Sequence, residues 1–188
     1  MGLLIAYGLG PFSLFERLNA LGYPIEYPEA RDLFRKYEEV FSVGVDYLRK
    51  SGRLALQQGY LANVSGRRRY WLMPKPEDTV KYPNGRDDKA YKGRCAGIER
   101  EGGNFLIQSV NADMTKAAMV LIRDYVKKNN IRSKFMNQVY DEIVTRTHKD
   151  DSPGFVEVKR KLMIEAASKY LKRIPMEVDG HVGESWTK

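Results

Sequence analysis

The sequence predicts an α+β fold in which a small antiparallel hairpin packs on helices, and three observations predict it. Apolar residues recur at helical spacing along 13–47, 98–128 and 152–173. Two β-favouring runs, Lys134 to Val139 and Ile143 to Thr147, flank Tyr140-Asp141-Glu142. With 188 residues and 43% hydrophobic content, the chain can fill one domain or two small lobes without disulfides.

Composition removes several classes of function. The single cysteine, Cys95, cannot form an internal bridge, which fits a reducing compartment. No stretch approaches eighteen consecutive apolar residues, and the apolar start lacks a basic region and cleavage site, so neither a membrane span nor a signal peptide is expected. Ala6 stands where a myristoylation signal wants Ser or Thr. The expected location is cytoplasmic and DNA-associated, in a bacterial host cell or equivalent. Net charge is +8, and from Gly66 to Arg100 ten Lys or Arg stand against five acids. That stretch also holds Tyr70, Trp71, Tyr82 and Tyr91, a mixture that suits phosphates and bases.

Gly2 to Gly10 reads as the back half of an apolar helix stopped by Gly8, Gly10 and Pro11. No N-cap residue precedes it, which points to a divided helix; a short apolar turn docked on a core is the equal alternative. Ser13 to Leu21 forms a short amphipathic helix with Phe12, Leu14, Phe15, Leu18 and Leu21 at helical spacing, ended by Gly22. Pro28 to Tyr47 follows as a longer helix or helix pair whose Leu33, Phe34, Tyr37, Val40 and Phe41 are expected in the core. Gly59 to Gly66 reads as a strand closing in a glycine turn and opening onto Arg67-Arg68-Arg69. From Pro74 to Gly97 the chain is rich in Pro, Gly, Asp and Lys, so a long surface loop or hairpin is expected, with Asp87-Asp88 in a solvated turn.

Ile98 to Lys128 is the main helical candidate, although Gly102-Gly103 costs roughly 1 kcal/mol per glycine relative to alanine. Arg100, Asn104, Gln108, Asn111 and Thr115 line one face of it, while Leu106, Val110, Ala117 and Leu121 lie where a core can take them. Solvated faces normally use Lys and Glu. An Arg-and-amide face suits sequence-blind reading of the DNA minor groove, where every base pair offers N3 or O2 acceptors. A hairpin at 132–148 then carries Asp141 and Glu142 at its tip, a pair with little value for folding and clear value for holding a divalent metal. Ser152 to Arg173 is a cationic amphipathic helix with Phe155, Val158, Leu162 and Ala166 inside, Ile174 to Val178 a last strand, and Gly180 to Lys188 a polar tail with Trp186 available to pack. His148 and His181 have no partner at metal-ligand spacing, and structural or solvated roles are expected.

In this order the motifs resemble the C-terminal part of family A DNA polymerases, the bacterial polymerase I and phage replicative group. Leu3-Leu4-Ile5-Ala6-Tyr7-Gly8 is similar to the end of motif B on the fingers helix, and Gly59-Tyr60 through Gly66-Arg67-Arg68-Arg69-Tyr70 to the family's Gly-Tyr, Gly-Arg-Arg segment. Glu99-Arg100, Asn104 and Gln108 match the palm helix that contacts primer and template. Gln138-Val139-Tyr140-Asp141-Glu142 resembles motif C, and Asp179 to Trp186 the closing segment. Two departures stand out: Tyr140 replaces the usual His before Asp, and Leu3 replaces the Phe or Tyr of many relatives, as in some viral members.

The resemblance implies partial fingers over 1–58 and partial palm over 59–188, with a basic loop 66–97, a DNA-contacting helix 98–128, the motif C hairpin 132–148 and a C-terminal helix 152–173. It implies a DNA-directed DNA polymerase using two Mg²⁺ ions about 3.5 to 4 Å apart to activate the primer 3′ hydroxyl and stabilise the departing pyrophosphate. Asp141 is the expected metal ligand and Glu142 a supporting catalytic acid. Leu3, Tyr7 and Gly8 are expected at the dNTP. Arg67, Arg68, Arg69, Arg100, Asn104, Gln108 and Tyr140 are expected at primer-template DNA. The Arg and Lys of motif B and the motif A aspartate fall upstream of Met1 by this comparison, so a partner chain carrying motif A and the first half of motif B is expected, as in a split polymerase. Two alternatives are a non-catalytic duplex-binding remnant and a relative of single-subunit RNA polymerases, a group that usually has Ser where Glu142 stands.

Overall fold

The computed structural model describes residues 10–75 and 89–186, which form two compact units, Met1–Ile107 and Gln108–Lys188. The cut falls inside a helix. It differs from the fingers/palm boundary expected at 58/59, which rests on resemblance and not on compactness. Leu3, Tyr7 and Gly8, expected at motif B, most of the helix expected to end at Gly10, and Asp87-Asp88 of the expected basic loop lie outside the described residues.

In the first unit, α1 (Pro11–Ala20) starts on a proline whose missing N–H would have had no helical partner. It buries Leu14 and Leu18, and Gly22 leaves it at φ +83°. Helix α2 (Tyr27–Val40) follows, with the Glu26 N–H donating to the Glu29 carboxylate at 3.1 Å. Phe12, Phe15 and Tyr27 form a triangle of rings with centroids 6.0–6.1 Å apart between these two helices. Helix α3 (Ser42–Gln58) ends on Gly59 in the left-handed conformation and feeds β1 (Tyr60–Ala62), which pairs antiparallel with β2 (Arg68–Tyr70).

The turn between β1 and β2 is built by Asn63. Its buried Oδ1 accepts from the backbone N–H groups of Ser65 and Arg67 and from the Ser65 hydroxyl, each at 3.0 Å, while Gly66 takes φ +81°. Leu61 of β1 then packs with Ala55 and Ile98 in a core completed by Leu56, Trp71, Met73, Phe105 and Leu106. Helix α4 (Lys89–Lys128) approaches α3 closely through glycines. A methyl on Gly103 would stand 2.9 Å from the Leu48 carbonyl oxygen, and one on Gly102 would collide with the Ala55 side chain. The Gly102-Gly103 pair that weakens helix propensity is what lets two backbones meet.

In the second unit, the C-terminal part of α4, the antiparallel hairpin of β3 (Ser133–Val139) and β4 (Glu142–Thr147), and α5 (Ser152–Ser168) surround one core. Ala118, Ile122, Ile143, Phe155 and Ala166 are buried there, with Val158 and Leu162 packed against them. The expected inner face of the last helix is thus observed. Register slips once between Phe135 and Asn137, leaving Met136 as the extra residue of a bulge.

Four expectations need correction. Helix α4 begins at Lys89, not Ile98, so Lys89–Gly97 is helical instead of loop. Tyr91, Cys95, Ile98 and Gly102 recur at i, i+4, i+7 and i+11, a helical stripe that outweighs the propensity cost of Gly93 and Gly97. Arg68–Tyr70 of the expected loop is strand. The stripe Leu33 to Phe41 is not core: Leu33 is 48%, Val40 74% and Phe41 55% exposed and Phe34 and Tyr37 are only half-buried, while the buried residue of α2 is Ala30. Finally, α5 stops at Ser168 and Ile174–Val178 is not a strand; Pro175 has no N–H to give a ladder, and the Val178 carbonyl is taken by Arg160 Nε at 2.7 Å.

Candidate functional site

The Tyr140-Asp141 dipeptide is a two-residue turn, since Val139 pairs with Glu142 in the flanking ladder. Tyr140 has φ +55° and Asp141 does not share the positive sign, the pattern of a II′ turn that ordinarily takes glycine first. A bulky residue held there costs on the order of 1–3 kcal/mol and persists only where its surroundings enforce it. Here the enforcement comes from Ile143, buried among Ala118, Ile122 and Phe155, and from Gln138, whose Nε2 donates to the Tyr140 carbonyl at 3.1 Å. Tyr140 itself is 83% exposed, so its ring is presented and not packed.

Asp141 and Glu142 are neighbours with different circumstances. The Asp141 side chain is exposed, and among the described residues no hydrogen bond or ion pair reaches it. Glu142 Oε1 instead accepts from the Trp186 indole N–H at 2.8 Å. Behind it, Lys159 Nζ donates to the Ile143 carbonyl at 3.0 Å and to Thr145 Oγ1 at 3.1 Å. Burial pushes the Lys159 amine below its ordinary value, and the Glu142 charge partly restores it.

A hard divalent cation takes carboxylate oxygens, and Mg²⁺ is commonly bound through one or two of them plus waters and substrate phosphates. Asp141 fits that chemistry as one ligand. Among the described residues no group of three or more His, Cys, Asp and Glu side chains is placed to hold a metal. Asp141 therefore fits as a contributor to a larger set of oxygens.

The expected DNA contacts divide. In the first unit, Arg69 is ion-paired with Glu101 and lies 5.2 Å over the Trp71 ring, while Trp71 Nε1 donates to Glu101 at 3.0 Å. Its charge is already met by Glu101 at the surface. Arg68 sits 5.8 Å over the Tyr60 ring, with the adjacent Tyr70 hydroxyl pushing its pKa further up. Arg67 presents an exposed side chain beside the Asn63 turn. Arg100 is exposed and Asn104 half-buried on α4, and no hydrogen bond or ion pair among the described residues engages either. Gln108, in the second unit, is exposed. Thr115 leaves the polar face: it is buried and donates to the Asn111 carbonyl at 3.0 Å.

Sequence reasoning missed Lys159 and the Trp186 contact. Lys159 was legible in principle, because it interrupts the apolar stripe Phe155, Leu162, Ala166 at an inward position. The Trp186 contact spans 44 residues and has no local signal.

A family model, that of DNA polymerase family A, matches residues 2–188. The chain belongs to DNA polymerase family A. It is 28% identical to DNA polymerase I of Bacillus caldotenax and 29% identical to that of Bacillus subtilis, in each case over 97% of this chain but only 18% of the relative. A shorter stretch, 45% of the chain, is 36% identical to DNA polymerase I of Aquifex aeolicus and covers 15% of it. The POL domain of Pol1 from M. smegmatis, in a complex with DNA primer-template and dNTP, superposes on 86% of the chain and 25% of that structure with a TM-score of 0.64 and 30% identity. The family A chain thus spans under a fifth of the length of these curated relatives, and its mixed helical fold with small antiparallel sheets is that of the family. No described helix is long and apolar enough to cross a membrane.

Proposed function

We propose that this chain supplies the C-terminal fingers and palm part of a DNA-directed DNA polymerase, and that it synthesises DNA on a primed template together with the part of the polymerase that carries motif A and the first half of motif B. The observation that carries this reading is the Asp141 carboxylate, unpaired among the described residues and held at a strained two-residue turn in a chain matched by family A from residue 2 to 188. Asp141 holds one side of the metal site, and the second carboxylate comes from the upstream part. When bound, the two Mg²⁺ ions lower the pKa of the primer 3′ hydroxyl and neutralise the charge that builds on the leaving pyrophosphate. Tyr140 offers a hydroxyl to the primer end in place of the usual imidazole. Arg100, Asn104 and Gln108 follow the minor groove of the primer-template, with Arg67 and Arg68 on phosphates.

The test is extension of a primed template with Mg²⁺ and dNTPs. Wild-type chain with the upstream polypeptide extends the primer, and Asp141→Ala abolishes extension while duplex binding stays within about twofold, since a single hairpin-tip carboxylate contributes nothing to phosphate neutralisation. Normal extension by Asp141→Ala would refute the site. Extension by the 188-residue chain alone refutes the need for a partner, and duplex binding without extension by the assembled pair points to a DNA-binding remnant.

A further inference from the structure

The closing segment is fastened at three places in the second unit, two on α5 and one on the β3–β4 hairpin. Arg160 Nε donates to the Val178 carbonyl at 2.7 Å. Gly180 lies so close to α5 that an added methyl would stand 2.9 Å from Val156 Cγ2 and 3.4 Å from Arg160 Cγ. The third fastening is the indole of Trp186 on Glu142, at the first residue of β4 and one position from Asp141.

We infer that the segment Asp179–Trp186 is a latch whose terminal indole holds the Glu142 carboxylate, making Trp186 and Glu142 positioning residues for Asp141 instead of ligands of the metal ions. This rests on the polymerase reading above. The chemistry is that of groups which orient a metal-bound carboxylate without touching the metal. An indole has one donor and no acceptor, so it engages an ionised carboxylate and leaves that oxygen less available to a cation. Lys159 holds the same stretch from the other side, binding the carbonyl of Ile143 and the hydroxyl of Thr145. Tip geometry is thereby set by the tail and by α5 together, so that the strain at Tyr140 is not relieved by the turn swinging away.

Two measurements test it. In the ¹H–¹⁵N spectrum of the chain alone, the two indole resonances belong to Trp71 and Trp186 and are assigned with Trp186→Phe. The Trp186 resonance moves on Glu142→Ala and much less on Glu142→Gln, which keeps an acceptor; insensitivity to both overturns the inference. In primer extension by the assembled pair, Trp186→Phe lowers kcat on the order of tenfold with KM for dNTP little changed. Gly180→Val, which lifts the tail without touching the hairpin, gives the same split, and Glu142→Gln recovers most of the rate that Glu142→Ala loses. Unchanged kcat in Trp186→Phe, or Glu142→Gln as inactive as Asp141→Ala, overturns the inference and leaves the polymerase reading intact. Normal extension by Asp141→Ala fails the polymerase reading itself, while the resonance experiment still reports on the latch.

Discussion

Arg132 grips Asp151 with two parallel hydrogen bonds, Nε to Oδ2 and Nη2 to Oδ1, both at 3.0 Å, and adds its own backbone N–H to Oδ2 at 3.0 Å. The pair closes the base of the β3–β4 hairpin, joining the residue before β3 to the residue before α5. The guanidinium and backbone donors of Arg132 hold the Asp151 carboxyl below its ordinary value. A carboxylate depressed in the folded state contributes stability that is fully present above its unfolded pKa of about 3.9 and is lost as pH falls through the lower folded value. Asp151→Asn is therefore expected to lower the urea midpoint at pH 7, with the gap to wild type closing as pH falls below about 4. A gap of constant size across that range would show that the pair does not titrate in this way.

The glycines of α4 divide into two kinds. Gly97 has nothing within 4 Å of an added methyl, so Gly97→Ala gains helix propensity and stabilises by about 1 kcal/mol. At Gly103 the same gain is set against a methyl 2.9 Å from the Leu48 carbonyl oxygen, backbone that cannot rotate aside. Overpacking of this kind costs about 1–3 kcal/mol, and Gly103→Ala is expected to be a net loss on the order of 1 kcal/mol. Opposite shifts of the two variants in urea denaturation check the helix contact; equal gains would mean that α3 and α4 do not meet there.

β-favouring residues on both sides of Tyr140-Asp141-Glu142 made the β3–β4 hairpin legible, and the observed ladder runs from Ser133–Thr147 to Val139–Glu142. Apolar spacing likewise identified the inner face of α5. What escaped was decided by contacts distant in sequence. The Gly102-Gly103 pair looked like a weak helix start because propensity is local, and the reason for it lies on α3. Leu33 to Phe41 looked like core because these residues are apolar or aromatic, yet the residue that α2 buries is Ala30. At the site, the adjacency of Asp141 and Glu142 was visible, but their separation into a carboxylate without a partner among the described residues and an occupied one depends on a tryptophan 44 residues away.

Tyr140 carries backbone strain for little packing return. Tyr140→Gly removes a cost of roughly 1–3 kcal/mol at φ +55° and adds roughly 0.5–1 kcal/mol of unfolded-state entropy, so stability is expected to hold or rise slightly. On the proposed function, in which the Tyr140 hydroxyl meets the primer end, primer extension is expected to fall. A clear drop in melting temperature would mean that the tyrosine ring, despite its exposure, holds the hairpin together.

Arg69 and Arg100 are both exposed arginines of the first unit, yet they predict opposite outcomes on DNA. Arg69 is already neutralised by Glu101 and stacked on Trp71, so Arg69→Ala removes a structural contact and leaves Trp71 and Glu101 to rearrange. Arg100 has no partner among the described residues, and its guanidinium remains available to an acidic ligand. For each phosphate a protein neutralises, the slope of log K against log salt steepens by about 0.9 on duplex DNA. Arg100→Ala is expected to weaken duplex binding and flatten that slope by up to about one unit. Arg69→Ala is expected to lower the melting temperature and leave the slope unchanged. Equal slopes in wild type and Arg100→Ala, measured between 50 and 200 mM salt, would take Arg100 off the nucleic-acid face. A flattened slope in Arg69→Ala would show that its pair with Glu101 opens to let it bind phosphate.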